Sequence, residues 1–129
     1  MGPAAARSML ARQIAQHGQT ITIVRTTGTT SPTTVSATIK AWVRGDARRD
    51  ETRSELVGQF QQGDLWIVIN PADLEAASWP GSGAVSGRAS IVPIRGDKIT
   101  VESRVRSVMI AEARDFLGTI VRINLIARG

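Results

Sequence analysis

VSATIKAWVR, residues 35–44, is the stretch that decides the fold. Val35, Ala37, Ile39, Ala41 and Val43 fall on one side of an extended chain, and Ser36, Thr38, Lys40, Trp42 and Arg44 on the other. Apolar and polar residues alternating at period two make a strand with one buried face. Just upstream, TITIVRT (20–26) alternates in the same way, with Ile21 and Ile23 together. The Gly, Pro and Thr of TGTTSPTT (27–34) between them read as an exposed turn. Downstream, residues 55–61 and 65–70 flank Gln62-Gly63-Asp64 as a hairpin. Residues 80–90 (PGSGAVSGRAS) read as a loop, and Ile91–Ile94 as a short edge strand interrupted by Pro93. KITVES after Gly96-Asp97, then Arg104–Ala113 and Thr119–Arg128 complete the set, with a turn at 115–118. The expected fold is mainly β: a small antiparallel barrel or sandwich of six or seven strands. Inward faces should include Ile21, Ile23, Ile39, Val43, Ile67, Ile99, Val101, Val121 and Ile123.

Two helices accompany the strands. AAARSMLARQIAQHG (4–18) has strong helical propensity, with Pro3 in the first turn, Gly18 at the stop and His17 at the cation-favouring end. Ala6, Leu10 and Ile14 form a narrow apolar stripe with Met9 beside it, a docking surface for this chain's own barrel or for a neighbouring subunit. Asn70-Pro71-Ala72-Asp73 reads as the start of a short helix that ends before Ser78-Trp79-Pro80-Gly81. The chain therefore divides into an N-terminal helix, 1–18, and a single barrel domain, 19–129.

The chemistry available is sparse. The chain has no cysteine and one histidine, His17, which removes thiol nucleophiles, disulfides and multi-histidine metal sites. Asp50-Glu51 sit among arginines, Asp73 and Glu75 suit a helix start, and GSGAVSG (81–87) lacks the lysine of a phosphate-binding loop. The reading is a protein that is not an enzyme, with no cofactor and no metal. No apolar run is long enough for a membrane helix, so no membrane partner is expected.

Charge is distributed unevenly. The net charge is +5, and residues 1–43 hold Arg7, Arg12, Arg25 and Lys40 with no acid, the candidates for lying close to DNA. RGDARRDETRSE (44–55) alternates in sign and cancels. Arg44, Arg48, Arg49 and Arg53 there are candidates for a subunit or partner interface with complementary charge. Trp66, in a run apolar on both faces, and Trp79, ahead of the 80–90 loop, join them as interface candidates. Trp42, between Lys40 and Arg44, suits a base-stacking patch, an interface anchor or a cover for the barrel's end.

The order of segments adds a resemblance. ITIVR, AWVRG, a polar loop, QQGDLWIVINPADL, WPG, GDKITVESRVRSV and a closing RINLIARG follow one another over residues 19–129. With Gly96, Asp97, Ile99, Val101, Arg104, Arg106 and Val108 as the matching residues, this resembles the head–tail connector proteins of tailed bacteriophages, of the head-closure or stopper type. The resemblance implies a structural virion protein, made in the host cytoplasm and placed in the neck. There it forms a homo-oligomeric ring on the order of six or twelve copies between portal or adaptor and tail, retaining packaged double-stranded DNA through weak contacts and offering the tail its platform. The competing expectations are a nucleic-acid-binding barrel of the OB kind and a tail-terminator or tube-like ring subunit.

Overall fold

The computed structural model describes residues 2–27, 33–45, 63–80 and 91–129. The elements run α1 (Pro3–His17), β1 (Gln19–Thr27), β2 (Thr33–Arg44), β3 (Leu65–Ile69), α2 (Pro71–Ala76), β4 (Lys98–Val101), β5 (Arg104–Phe116) and β6 (Thr119–Arg128). The strands close an antiparallel barrel in the order β1-β2-β3-β6-β5-β4. Two three-strand meanders, β1–β3 and β4–β6, are thus joined by the segment containing α2. Closure pairs β3 with β6 and β4 with β1. The small barrel with an N-terminal helix and one short internal helix matches the sequence reading.

Alternation fills the barrel as the strands require. Ile21 faces Ile39 and Val101 across its two neighbours, and Ile23 faces Ala37 and Ile99. All six are buried in one cluster with Ile67, Ile69, Ile123 and Leu125, and Val43 packs against it. At one end, here the lower, Leu74 of α2 and Trp79 plug the barrel, with Ile91 and Val92 packed alongside. Asn70 caps α2 as its sequence suggests, its Oδ1 receiving Ala72 N at 3.0 Å.

Two expectations need correction. Val121 does not point inward; Ile120 does, at 4% exposed. Arg114 pairs with Arg122 but Asp115 pairs with Ile120, so Val121 is the extra residue of a β-bulge and turns out of the wall. Ile91–Ile94 form no strand; Ile91 and Val92 pack against the plug instead, while Ile94 is exposed. The first arm of the expected 55–61/65–70 hairpin and most of the 80–90 loop lie outside the described residues. The second arm, β3, pairs with β2 and β6.

A second cluster explains why β3 is apolar on both sides. Trp66 and Val68 of β3 point outward, where Leu10 and Ile14 of α1 cover them together with Ile126. Trp42, Met109 and Ile110 complete the layer. Burying Leu10 and Ile14 contributes about 1.5–3 kcal/mol each, which holds a weakly amphipathic helix on the barrel. Arg7 donates from Nε and Nη2 to Ile120 O at 3.0 and 2.8 Å, and Lys40 Nζ donates to Ala15 O at 3.1 Å near the helix end. The docking stripe therefore serves its own barrel. Gly18 ends α1 in an extended conformation, not a left-handed one. A Cβ there would lie 2.5 Å from Ile14 O and 2.9 Å from Ala41 O, so glycine is needed for the close approach of helix end and β2.

Candidate nucleic-acid interface

The wall that α1 leaves open is formed by β4, β1 and β2. Outward positions of β1 are Thr20, Thr22, Val24 and Thr26, paired in register with Lys40, Thr38, Ser36 and Thr34 of β2. On the other side Thr22 faces Thr100 and Val24 faces Lys98. The wall is thus a ladder of hydroxyls with a lysine at each flank. Thr22 and Thr38 hydroxyls are 3.3 Å apart, Thr26 and Thr34 3.4 Å apart, and Lys98 Nζ donates to Ser107 Oγ at 2.7 Å. None of these outward positions carries an acid; Glu102, in the β4–β5 turn, lies beyond its end. Hydroxyls and ammonium groups on an open wall are donors suited to phosphate oxygens.

Three acids elsewhere, Asp97, Asp64 and Glu75, are each held by an arginine. Asp97 receives Arg25 Nε at 2.9 Å and Nη2 at 2.8 Å inside the lower end, both side chains 3% exposed. Trp79 lies against the Arg25 guanidinium at 5.0 Å. Asp64 receives Arg128 Nε and Nη2 at 2.8 Å each, and those bonds raise the Arg128 pKa further above its ordinary value. Glu75 takes both terminal nitrogens of Arg7 at 3.1 Å.

These pairings place the candidates singled out in the sequence. Of the four DNA-proximal residues, Lys40 stands on the open wall and Arg12 on the exposed side of α1. Arg7 is held between Glu75 and Ile120, and Arg25 is inside the barrel, so neither belongs to an open basic surface. Among the interface candidates, Trp66 is fully buried under α1, Trp79 is 3% exposed in the plug and Arg44 is 8% exposed. The chain itself buries all three, with Leu10 and Ile14 of α1 over Trp66 and Leu74 of α2 in one cluster with Trp79. Arg48, Arg49 and Arg53 lie outside the described residues. Trp42 has the His17 ring stacked on it at 5.4 Å and the Arg44 guanidinium at 5.0 Å, so it lies on the wall beneath α1 rather than over the barrel's end.

The open wall itself was not singled out in the sequence, nor was Lys98. The signal was present: every outward position of TITIVRT and VSATIK other than Val24 is a hydroxyl or a lysine. A second cavity site lies at the upper end, where about 380 Å³ is lined by Gln19, Val43, Gly45, Leu65, Val101, Glu102, Arg104 and Arg106. Among the described residues no group of three His, Cys, Asp or Glu side chains is placed to hold a metal, and no helix is long and apolar enough to cross a membrane. No family model, curated protein or solved structure matches the chain.

Proposed function

We propose that the protein is a non-catalytic binding barrel that lays its β4–β1–β2 wall against the phosphate backbone of nucleic acid. One observation carries this reading: the open wall presents Thr20, Thr22, Thr38, Thr100, Lys40 and Lys98 with no carboxylate among them. The aromatic ring next along the β2 row, Trp42, has the His17 ring stacked on it and the Arg44 guanidinium against it. The wall therefore offers bases no open stacking platform, and contact is confined to the backbone. Binding is then weak, independent of sequence and sensitive to salt. With two lysines releasing counterions, log K falls with log salt at a slope of about −1.8, or about tenfold between 50 and 200 mM. Fluorescence anisotropy with a random-sequence duplex at those two salt concentrations tests the reading. Lys40→Gln with Lys98→Gln should flatten the slope toward zero. An unchanged slope, or tight binding indifferent to salt, overturns the proposal.

A second reading, the ring subunit of a bacteriophage neck between portal or adaptor and tail, is favoured by a different observation. Phe116 and Leu117 stand exposed at the tip of the β5–β6 hairpin, where none of the described residues covers them. In that reading the wall's donors face packaged DNA, and the tip meets a neighbour. A reconstruction of a native particle tests it: finding this chain as a single copy, or away from the portal–tail axis, removes the ring.

A further inference from the structure

We infer that the β5–β6 hairpin tip of one copy docks into the groove between α1 and β6 of a second copy, joining subunits head to tail. The inference rests on the ring reading and gives it a contact; it is independent of the nucleic-acid wall.

The knob is built against local preference. Phe116 pairs with Thr119, so Leu117-Gly118 is a two-residue turn, and both residues have left-handed backbones, with φ of 51° and 81°. Such a turn favours Asn, Asp or Gly in its first central position. This chain has leucine there, 82% exposed, beside Phe116 at 37%. A strained turn carrying an exposed apolar side chain is explained by a contact outside the folded monomer.

The hole is made by the bulge. Because Val121 is turned outward, it joins Ala6, Met9, Leu10, Gln13 and Arg122 around a groove of about 220 Å³. Met9 at its edge is 47% exposed. The chain's own tip does not fill this groove: Val121 is on the same hairpin, four residues from Leu117, or about 13 Å along a stiff strand.

Both halves of the contact are therefore on one chain, which points to a second copy as the occupant. Charge agrees: Arg12 stands exposed on α1, which has no acid, and Arg122 lines the groove, while Asp115 stands exposed beside the tip. Since knob and groove are different surfaces, the contact is heterologous and repeats, closing a ring where the rotation allows.

Analytical ultracentrifugation over a concentration series tests it with three samples. The wild type should associate. Leu117→Gly, which suits the left-handed position and keeps the turn, should weaken association about tenfold or more. Met9→Asp, at an exposed helix position, should do the same, with circular dichroism confirming the fold of both. An equimolar mixture of the two variants has one intact knob and one intact groove. It should form a one-to-one dimer and nothing larger. Wild-type chain that stays monomeric overturns the ring reading and this contact together. Association that survives Leu117→Gly, or a variant mixture that makes no dimer or grows beyond it, overturns the contact and leaves the ring reading standing.

Discussion

Replacing Asp97 with alanine is expected to unlock the lower end of the barrel. The carboxylate holds Arg25 through two bonds of 2.9 and 2.8 Å and receives Ile94 N at 2.9 Å. Alanine leaves the guanidinium buried against Trp79 with its charge uncompensated, and Arg25 Nη1 is already without a hydrogen-bond partner. Stranding one member of a buried ion pair costs about 3–5 kcal/mol. At about 2.1 cal/mol/K per residue, the unfolding entropy of this chain is about 0.27 kcal/mol/K, so Tm falls by about 11–18 °C. Arg25→Met combined with Asp97→Leu removes both charges and keeps apolar volume, so it should recover most of the loss. Thermal unfolding by circular dichroism on wild type, Arg25→Met, Asp97→Leu and the double closes the cycle, with Asp97→Ala measured alongside. If Asp97→Ala lowers stability by less than about 1 kcal/mol, or the double is no better than the single, the pair does not hold this end.

Three further outcomes follow from the packing. Leu10→Ala opens the layer between α1 and the barrel and should cost about 2–5 kcal/mol, with the fluorescence of Trp42 and Trp66 changing as the cover loosens; urea denaturation measures the first. Gly18→Ala forces a methyl against two carbonyl oxygens and should cost about 1–3 kcal/mol in the same assay, although its backbone conformation is open to any residue. Burial raises the Asp73 carboxyl above its ordinary value of 3.8, so the folded chain holds that proton more tightly than the unfolded one. Its contribution is complete below 3.8 and falls as pH rises through the interval up to the raised value. The Tm of wild type minus that of Asp73→Asn should therefore decline across that interval, and a difference that rises contradicts the burial.

The parts of the fold legible in the sequence are those where alternation is unbroken. In β1, β2 and β4 each residue spends one position per pleat, so Ile21, Ile23, Ile39, Ile99 and Val101 fall inside as their spacing requires. In β5 and β6 the pleat slips twice. Met109 is extra between Val108 and Ile110, and Val121 is extra opposite Arg114 and Asp115. A bulge leaves no mark in an apolar pattern such as Thr-Ile-Val-Arg-Ile, because Ile120 and Val121 are equally suited to either side. The double-sided apolar character of β3 was legible, but not its cover. Leu10 and Ile14 could dock at home or abroad, and only the outward Trp66, Val68 and Ile126 show that they dock at home.

Charge was legible as a sum and illegible as a surface. Arg7, Arg25 and Arg128 meet Glu75, Asp97 and Asp64 across 68, 72 and 64 residues, distances at which no local spacing reveals a partner. Folding therefore takes up half of the basic surplus of residues 1–43, since Arg7 goes to Glu75 and Arg25 goes inside. Lys40 and Lys98 have a different fate. They donate to a carbonyl and a hydroxyl, Ala15 O and Ser107 Oγ, neither of which cancels charge. Pairing in β1–β2 and β1–β4 then brings these two lysines, 58 positions apart in sequence, to opposite flanks of one threonine wall. Barrel closure thus directs a modest net charge: it sets Asp97, Asp64 and Glu75 on arginines away from the wall and leaves the wall's lysines and hydroxyls facing outward.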